Sequence, residues 1–373
     1  MACIGIFIGQ CGVTIGQQIL AEPPSLFKCY NGSYHTIFVD TEIKVTRRIP
    51  KQFLSPNNLF SDFPGCGGCF AKGMKSAETM LDRVMSGVRT ELEQTDCCLG
   101  FLLVHSLCGG TGSGYGSRIT EEIKRIYPEM FVVNVAVLPF RTGENPLQSY
   151  NVVLAMNKLQ EYSDMIVLIE NSVVANELSS AKQKVSMYQI NGKIISDLQI
   201  LFRNCKQVPN RCAIWEVLKI VCSIPTIKFC SIGSHFSKNI LENINRSARS
   251  IKQKTEFGKF RTTSGVILSS DLKPQLLDPR LESKLQKSFN FVDWNPFPVE
   301  FWCCKNKEPG INFAMNTNSV SSTLLKESDT ALLKYHAGAY LHWFEKYDIN
   351  KEDFSEAFEN IDKIVEDYAY FCR

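Results

Sequence analysis

Five short apolar runs alternate with helical patterns in the first half of the chain. The runs are almost free of polar residues and cover residues 4–8, 36–40, 100–104, 131–138 and 165–169. Between them, apolar residues recur at helical spacing over residues 78–93, 117–126 and 150–162. Strands without polar alternation are buried on both faces, so this pattern predicts an α/β fold with a parallel sheet.

The pattern changes after a long predicted helix over residues 185–202. Spaced strand candidates then indicate a second, mixed α+β domain; they cover residues 227–232, 265–268, 289–294, 300–303 and 311–315. The basic, polar segment 239–261 has little core signal and is typical of a solvent-exposed helix or loop, with a partner-binding role as the alternative.

Two helical stretches, over residues 330–346 and 351–370, close the sequence as a C-terminal helical pair. The second has an apolar face opposite an acidic one, as in an amphipathic surface helix. The sequence thus predicts four segments: a parallel-sheet domain 1–184, a connecting helix 185–204, an intermediate domain 205–325 and C-terminal helices 326–373.

Composition narrows the class of protein. Hydrophobic residues are 44% and charged residues 21% of the 373, which excludes a disordered tail, a collagen and a coiled-coil rod. The formal net charge of +3 gives no electrostatic case for nucleic acid or an anionic membrane. No leader sequence is evident, and no apolar run approaches the roughly 20 residues of a membrane helix. We expect a soluble, cytoplasmic protein.

The cysteines and histidines do not form a clear metal motif. The odd count of 15 cysteines, without a disulfide-scaffold layout, indicates a reducing compartment. Cys66 and Cys69 form one C-x-x-C, but no second pair follows at zinc-ribbon spacing, so structural zinc is not favoured. His105 ends an apolar run and is expected to be a core or loop histidine rather than a ligand.

The sharpest chemical signal is a glycine cluster that follows the third apolar run. Residues 109–116 read GGTGSGYG, five glycines in eight residues, and a helical pattern comes next. Glycines allow tight turns with inward N–H groups, Thr111 and Ser113 offer hydroxyls, and the helix N-terminus attracts anions. A di- or triphosphate cradle is predicted. It is not a Walker loop, and a dinucleotide fold or an unliganded turn are the alternatives.

Two further glycine loops and a pair of acids accompany this cluster. Residues 9–12 (GQCG) also lie between a strand and a helix, and should meet the cluster at one sheet edge. Asp40 and Glu42 end the second run and could hold hydrated Mg²⁺ against phosphates, or Asp40 could be a turn cap. The loop 65–73 could close over the phosphates or be a flexible surface turn.

These residues resemble the tubulin superfamily. The cluster 109–116 is similar to the family's glycine signature, and 9–12 with Ile15-Gly16 to its first nucleotide loop. Residues 139–151 resemble the loop after the fourth strand, and 339–354 the C-terminal helices. Within the family, Thr142-Gly143-Glu144, Tyr150-Asn151 with Ser163-Asp164, and the stretch 347–354 look most like delta-tubulin.

The resemblance implies a GTP site with Mg²⁺. Carried over residue by residue, it implies nucleotide and phosphate contacts for Gln10, Cys11, Gly109, Gly110, Thr111 and Gly112, metal and phosphate proximity for Asp40 and Glu42, a ribose contact for Glu144, and guanine contacts for Asn171 and Asn191. An Asn amide offers both a donor and an acceptor, as a guanine edge requires.

The sequence also departs from the family pattern. Thr14 stands where the family usually has Gln, Gly68 and Cys69 where it usually has two Asn, and Met187, with Tyr188 next to it, where an aromatic ring stacks on guanine. The Gly-x-x-Asn-x-Asp loop that lets one subunit hydrolyse its neighbour's nucleotide is not found. Within 210–219 the only acid is Glu216, which leaves it as the one weak catalytic candidate.

Three functions are compatible with these residues. The first is a GTP-binding, delta-type subunit in the cytoplasm and cytoskeleton, acting at centrioles, basal bodies or cilia. Its partners would be other tubulin subunits or microtubule ends, with no membrane and no nucleic acid beyond the nucleotide. The second is a tubulin-fold interaction module that has lost its nucleotide, and the third a Rossmann-type oxidoreductase. Whether the chain is a GTPase stays open at this point.

Overall fold

The structure is a computed structural model that forms two compact units. It describes residues 2–28, 33–50, 53, 58–61, 65–141, 143, 145–179, 185–203, 213–237, 239–252, 259–270, 285–304 and 309–373. Unit 1 comprises Met1–Ile195 and Glu327–Ile361, and unit 2 comprises Ser196–Lys326 and Asp362–Arg373. The four-segment division made from the sequence stays a prediction.

A parallel sheet forms the centre of unit 1. Its strands within the described residues are β1 (Ala2–Ile8), β2 (Thr36–Asp40), β3 (Leu59–Ser61), β4 (Cys98–Ser106), β5 (Phe131–Leu138) and β6 (Met165–Glu170). Their order is β3-β2-β1-β4-β5-β6, and each neighbouring pair is parallel. The five predicted strands are confirmed. The strand order reverses between β1 and β4, and ligands of doubly wound sheets bind at such a switch point.

Helices cover both faces of this sheet. They are α1 (Gly9–Ala21), α2 (Ile43–Thr46), α3 (Phe70–Glu93), a π-helical turn (Thr111–Tyr115) continuing into α4 (Gly116–Ile126), α5 (Gln148–Tyr162) and α6 (Asn171–Leu178). On β1, Ile6 and Ile8 join a buried cluster with Val84 of α3 and Ile123 of α4. The intervening Phe7 points to the other face, because successive side chains of a strand alternate, and it meets α1. Apolar residues on both faces explain the runs without polar alternation.

Unit 2 contains a mixed sheet, as the sequence predicts. The chain enters it along α7 (Met187–Phe202), and α8 (Ala213–Val221), β7 (Phe229–His235), α9 (Ile240–Lys252), β8 (Thr262–Ser270), β9 (Val299–Cys304) and β10 (Gly310–Thr317) follow. The strand order is β7-β10-β8-β9. β10 is antiparallel to β7 and β8, whereas β8 and β9 are parallel.

The predicted strand over residues 289–294 is wrong. Residues 285–289 are helical, and Phe291 makes a single isolated bridge to Thr262. Between them Asn290 has a φ of 50°, in the left-handed region, which interrupts an extended chain. The aromatic residues that suggested a strand are buried instead in the core of unit 2, where Phe289 and Phe291 pack together.

The described part of the segment 239–261, residues 239–252 and 259–261, is more buried than its composition suggested. Its helix α9 places Ile244, Ala248 and Ile251 in the core of unit 2, each at most 4% exposed. These positions are four and three residues apart and therefore share one helix face. Arg246 lies on the opposite, exposed face and pairs with Glu242. The expectation of a solvated segment is corrected to an amphipathic core helix.

The C-terminal part consists of α10 (Ser319–His336), α11 (Leu341–Glu345) and α12 (Lys351–Phe371). The predicted helix 330–346 is therefore not continuous: Gly338 and Tyr340 have φ values of 66° and 63°, which end α10 and turn the chain into α11. The amphipathic helix after residue 350 is confirmed. None of the helices in the described ranges has the length and apolarity to span a membrane.

Candidate functional site

Glycines bring the loops after β1 and β4 into backbone contact. A Cβ on Gly9, whose φ is 71°, would lie 3.2 Å from the amide nitrogen of Gly112. A Cβ on Gly12 would lie 2.1 Å from the Val104 carbonyl oxygen, and one on Gly112 2.2 Å from that of Ser106. The two shorter distances exclude a side chain at Gly12 and Gly112, and at Gly9 a side chain would be strained by the left-handed backbone. The predicted meeting of the two loops at one sheet edge is confirmed.

Gly73 of helix α3 packs against the glycine cluster 109–116. A Cβ on Gly73 would lie 2.1 Å from the Gly110 carbonyl oxygen, and one on Gly114 would lie 2.6 Å from the Gly73 Cα. A Cβ on Gly109, in contrast, would meet nothing within 4 Å in the described structure. The helical geometry begins at Gly110, so the amides of this first turn have no intrahelical acceptor. Free amides at a helix start can bind an anion, and the described structure leaves this turn open on one side, at Gly109.

Several hydrogen bonds tie the loop 65–69 to its surroundings. Gly67 and Gly68 have φ values of 61° and 72°, and Cys69 donates its N–H to the Cys66 carbonyl. Lys72 Nζ donates to the Gly65 carbonyl at 2.7 Å, and Asn145 Nδ2 to that of Gly68 at 2.6 Å. The hydrogen bonds from Lys72 and Asn145 therefore hold the third glycine loop beside the glycine cluster 109–116.

Two hydroxyls join the end of β2 to the glycine cluster. Thr41 Oγ1 and Thr111 Oγ1 lie 2.6 Å apart, and both also interact with the Cys66 thiol. Ser113, which the sequence suggested as a second hydroxyl donor toward a ligand, instead donates to the Gly109 carbonyl at 2.7 Å and is fully buried. A helical serine can bond in this way to the carbonyl four residues earlier, which directs its hydroxyl back along the helix. Thr111 is thus the hydroxyl that lies at the site.

Asp40 has an open oxygen. Its Oδ1 accepts from the Glu42 N–H at 2.9 Å, whereas its buried Oδ2 accepts no hydrogen bond from any described residue. The side chain is 2% exposed, and burial raises the pKa of Asp40 to about 6. A buried carboxylate without a full set of partners is costly, so its environment favours a bound cation or a proton.

Glu42 fits a metal site less well than Asp40. Its carboxylate pairs with Lys44 Nζ at 2.7 Å and is 46% exposed. Among the residues described, no three His, Cys, Asp or Glu side chains are placed to hold a metal ion. Mg²⁺ that accompanies a nucleotide needs only one or two carboxylates, because phosphates and water supply its other ligands. Asp40 alone satisfies that requirement.

The C-x-x-C does not form a zinc site in the described structure. Cys66 and Cys69 are buried free thiols, each 3% exposed. Burial raises the pKa of both thiols, and zinc binds the thiolate rather than the thiol. The Cys69 thiol instead contacts the Trp343 carbonyl. These cysteines pack the third glycine loop.

Asn171 provides a second open oxygen, at the far side of the sheet. It is the first residue of α6, directly after β6, and is 8% exposed. Its buried Oδ1 receives no hydrogen bond from the described chain. Asn191, on α7, is also buried at 5%, whereas Met187 and Tyr188 are 49% and 74% exposed. The two predicted guanine-binding amides are therefore both buried polar groups of unit 1.

The remaining predicted residues divide into three cases. Gln10 is exposed and Cys11 half-buried at the start of α1, next to the glycine contact. Glu144 lies outside the described residues. Glu216 lies on α8 in unit 2, where its carboxylate pairs with Lys219 Nζ at 3.3 Å. Unit 1 thus gathers all the described candidates except Glu216.

His105 is a core histidine, as expected. It is fully buried, its Nε2 lies 3.0 Å from Asn134 Oδ1, and Asn134 Nδ2 donates to Ser163 Oγ. Burial lowers the pKa of His105 to about 4, so the imidazole is neutral at pH 7. The ring fills the space beneath Gly116, where a Cβ would lie 2.6 Å from Nδ1.

Sequence reasoning missed the residues that hold the loops together. Thr41, Cys66, Asn145 and Asn151 all make hydrogen bonds at this edge. Thr41 stood between two assigned acids and could have been noticed. Asn151 entered the sequence analysis only through the family resemblance. The contacts of Asn145 and Asn151 had no local signal, because their partners are 77 and 83 residues away in sequence.

Comparison with known proteins agrees with this geometry. Residues 2–178 match the Tubulin/FtsZ family, GTPase domain. The chain is 24% identical over 361 residues to beta-Tubulin at 65B of Drosophila melanogaster, covering 89% of this chain and 78% of that protein. It is 25% identical to the tubulin beta-1 chain of Colletotrichum graminicola (86% and 76% covered) and 25% to the tubulin beta chain of Encephalitozoon cuniculi (86% and 78%). Residues 2–178 are therefore similar to the GTPase domain of the Tubulin/FtsZ family, and the similarity to beta-tubulins extends over most of the chain.

Proposed function

We propose that this chain is a GTP-binding, tubulin-like cytoskeletal subunit that assembles with other tubulin subunits or at microtubule ends. One observation carries the nucleotide site: two buried, unpartnered oxygens, Asp40 Oδ2 and Asn171 Oδ1, flank the glycine cluster at the same sheet edge. A ligand with a cationic end, a phosphate chain and a hydrogen-bonding base would satisfy all three.

The spacing of the sheet suits such a ligand. Asp40 follows β2 and Asn171 follows β6, with β1, β4 and β5 between them. Four strand intervals of about 4.8 Å separate the two positions by about 19 Å across the sheet. The glycine loops after β1 and β4 lie between them. Metal and phosphates would therefore bind toward β2 and the base toward β6.

Each residue has a defined task in this proposal. The amides of Gly109, Gly110, Thr111 and Gly112 would donate to phosphate oxygens, with the positive end of the α4 helix behind them. Asp40 would hold Mg²⁺, which in turn neutralises phosphate charge. Asn171 and Asn191 would pair with the guanine edge, and Glu144 with the ribose. Gln10 and Cys11 would contact the phosphates from α1.

Calorimetric titration of the purified chain with GTP and with ATP, each with Mg²⁺, tests this proposal. We expect GTP to bind and ATP to bind at least about tenfold more weakly, since a base-specific hydrogen-bond pair is lost. Thr111→Ala with Gly112→Ala should abolish binding, because a Cβ on Gly112 meets the Ser106 carbonyl at 2.2 Å. Thr79→Ala, at an exposed helical site, is the matched control. No GTP uptake by the unaltered chain would leave a nucleotide-free interaction module as the function.

Nucleotide hydrolysis in a neighbouring subunit is a separate part of the proposal and rests on Glu216 alone. Glu216→Gln should leave GTP binding by the chain unchanged, because Glu216 belongs to unit 2 and the nucleotide residues to unit 1. It should lower phosphate release only under assembly conditions. Equal phosphate release by the variant and the parent would remove Glu216 from consideration.

We further propose a delta-type subunit that acts at centrioles or basal bodies. The support is the resemblance around Tyr150-Asn151, Ser163-Asp164 and residues 347–354, and the relatives named above are beta-tubulins. Tagged protein should concentrate at basal bodies of ciliated cells, and a diffuse cytoplasmic signal would contradict the proposal. The oxidoreductase alternative has no observation in its favour, and a nicotinamide fluorescence titration should show no binding.

A further inference from the structure

The Asn151 carboxamide links three segments of the phosphate site, yet none of the roles above uses it. Its Oδ1 accepts from the Phe70 N–H at 2.9 Å, and its Nδ2 donates to the Gly68 carbonyl at 2.8 Å and to the Cys108 carbonyl at 2.7 Å. Both amide hydrogens and the amide oxygen are thus engaged, and the side chain is fully buried.

The three partners belong to the elements that would surround the phosphates. Gly68 lies at the tip of the third loop, Phe70 begins α3, and Cys108 directly precedes the open glycine, Gly109. Phe70 is the first residue of its helix, so its N–H has no intrahelical acceptor. One carboxamide therefore sets the distance between the third loop and the phosphate loop.

Asn151 is itself held rigidly. It lies in the first turn of α5, next to Tyr150, whose hydroxyl donates to the Ala339 carbonyl at 3.0 Å. The Tyr150 ring packs edge-on against Phe344 and Phe354 with centroids 5.4 and 5.0 Å apart. Packing of this kind holds the Asn151 side chain in place, so that its hydrogen bonds can position the groups they bind, as precise ligand sites require.

We propose that Asn151 is a positioning residue for phosphate binding. It acts through the Gly68 and Cys108 carbonyls, holding the third loop over the amides of residues 109–112. The inference rests on the proposed nucleotide-binding function and deepens it. Asn145, which also donates to the Gly68 carbonyl, supports the same loop from a second direction.

The change Asn151→Asp tests the proposal with almost no change in side-chain shape. A carboxylate still accepts from Phe70, but it has no hydrogens for the Gly68 and Cys108 carbonyls and repels both. Asn157→Asp is the matched control, since Asn157 is a buried amide on the same helix whose oxygen accepts from Asn360. Affinities for GTP and for guanosine, which lacks phosphates, are measured by titration for each protein.

We expect Asn151→Asp to bind GTP at least about tenfold more weakly than the parent, with guanosine affinity unchanged. Asn157→Asp should leave the ratio of the two affinities at the parental value. Equal losses of GTP and guanosine binding, or no loss of GTP binding, would overturn the inference while the proposed function stands. Absence of GTP binding by the parent would overturn both.

A second pair of variants keeps the test decisive if Asn151→Asp does not fold. Gly67 and Gly68 both have left-handed backbones, so alanine strains each to a similar degree. A Cβ on Gly68 would lie 2.5 Å from Asn145 Nδ2, whereas one on Gly67 meets nothing within 4 Å among the described residues. Gly68→Ala should weaken GTP binding well beyond Gly67→Ala. Equal GTP affinities of the two variants would overturn the inference.

Discussion

Replacing Gly73 by alanine should separate fold stability from phosphate binding. Gly73 lies in the first turn of α3, and the new Cβ would lie 2.1 Å from the Gly110 carbonyl oxygen and 2.9 Å from its carbon. Ordinary contact begins near 3.4 Å, so α3 and the phosphate loop must separate by about 1.3 Å. Both partners are backbone, and no side-chain rotation can relieve the contact.

The expected magnitudes follow from this separation. Overpacking costs about 1–3 kcal/mol, and the helix propensity of alanine over glycine returns about 1 kcal/mol. The free energy of unfolding should therefore fall by about 1 kcal/mol. A misplacement of about 1 Å can cost about a hundredfold in a positioned site, so GTP affinity should fall by about 10- to 100-fold.

Gly87→Ala is the matched control on the same helix. Its Cβ would lie 2.8 Å from Cζ of Phe60, the far end of a side chain, which must shift by about 0.6 Å to reach the ordinary contact distance of 3.4 Å. The two opposing effects should leave its stability within about 0.5 kcal/mol of the parent, with GTP affinity unchanged. Urea unfolding and calorimetric titration measure both quantities. Parental GTP affinity in Gly73→Ala would refute the claim that backbone contact positions the phosphate loop.

Three further outcomes are expected. Asn171→Ala should reduce the preference for GTP over ATP by about tenfold, measured by titration, because it removes a base-pairing amide; an unchanged ratio would exclude Asn171 from the base site. Burial raises the pKa of Asp40 from 3.8 to about 6, so ionisation of Asp40 should lower the free energy of unfolding of the nucleotide-free chain by about 3 kcal/mol as the pH rises from about 4 to 6. Asp40→Asn should abolish this loss. His105→Gln should abolish an opposite gain of about 3 kcal/mol as the pH rises from about 4 to 6.5, since burial lowers this pKa from 6.5 to about 4. The two pH dependences of the free energy of unfolding partly cancel in the parent. Urea unfolding across this pH range should therefore show the Asp40 loss most clearly in His105→Gln and the His105 gain most clearly in Asp40→Asn.

The sequence was most informative where a pattern is local. Apolar runs located β1, β2, β4, β5 and β6, because strands buried on both faces exclude polar residues. The same rule missed β3, which has only three residues, Leu59–Ser61. The spacing of Ile244, Ala248 and Ile251 was also readable as a helix face, but the surrounding basic residues outweighed it.

The candidate site was only partly predictable, because its precision comes from contacts between distant segments. The glycine loops were evident, and their convergence followed from parallel strands. The Ser113 hydroxyl bonds to the carbonyl four residues earlier, as helical serines often do, and composition does not distinguish such a hydroxyl from one that faces a ligand. The tether from Asn151 to Gly68 depended on how α5 sits against the third loop, which no local pattern encodes.

The backbone-to-backbone contacts of Gly12, Gly73 and Gly112 limit how this chain can vary. Each has a carbonyl oxygen about where its first carbon of side chain would go, at 2.1 or 2.2 Å. No compensating change elsewhere can trim a carbonyl, so a second mutation cannot rescue such a position as it can rescue an oversized core residue. In a saturation library selected for GTP binding, these three sites should accept glycine alone, while the exposed faces of the surrounding helices tolerate most exchanges. A chain can keep these main-chain contacts and still diverge widely in side chains, as an identity of 24–25% with beta-tubulins illustrates.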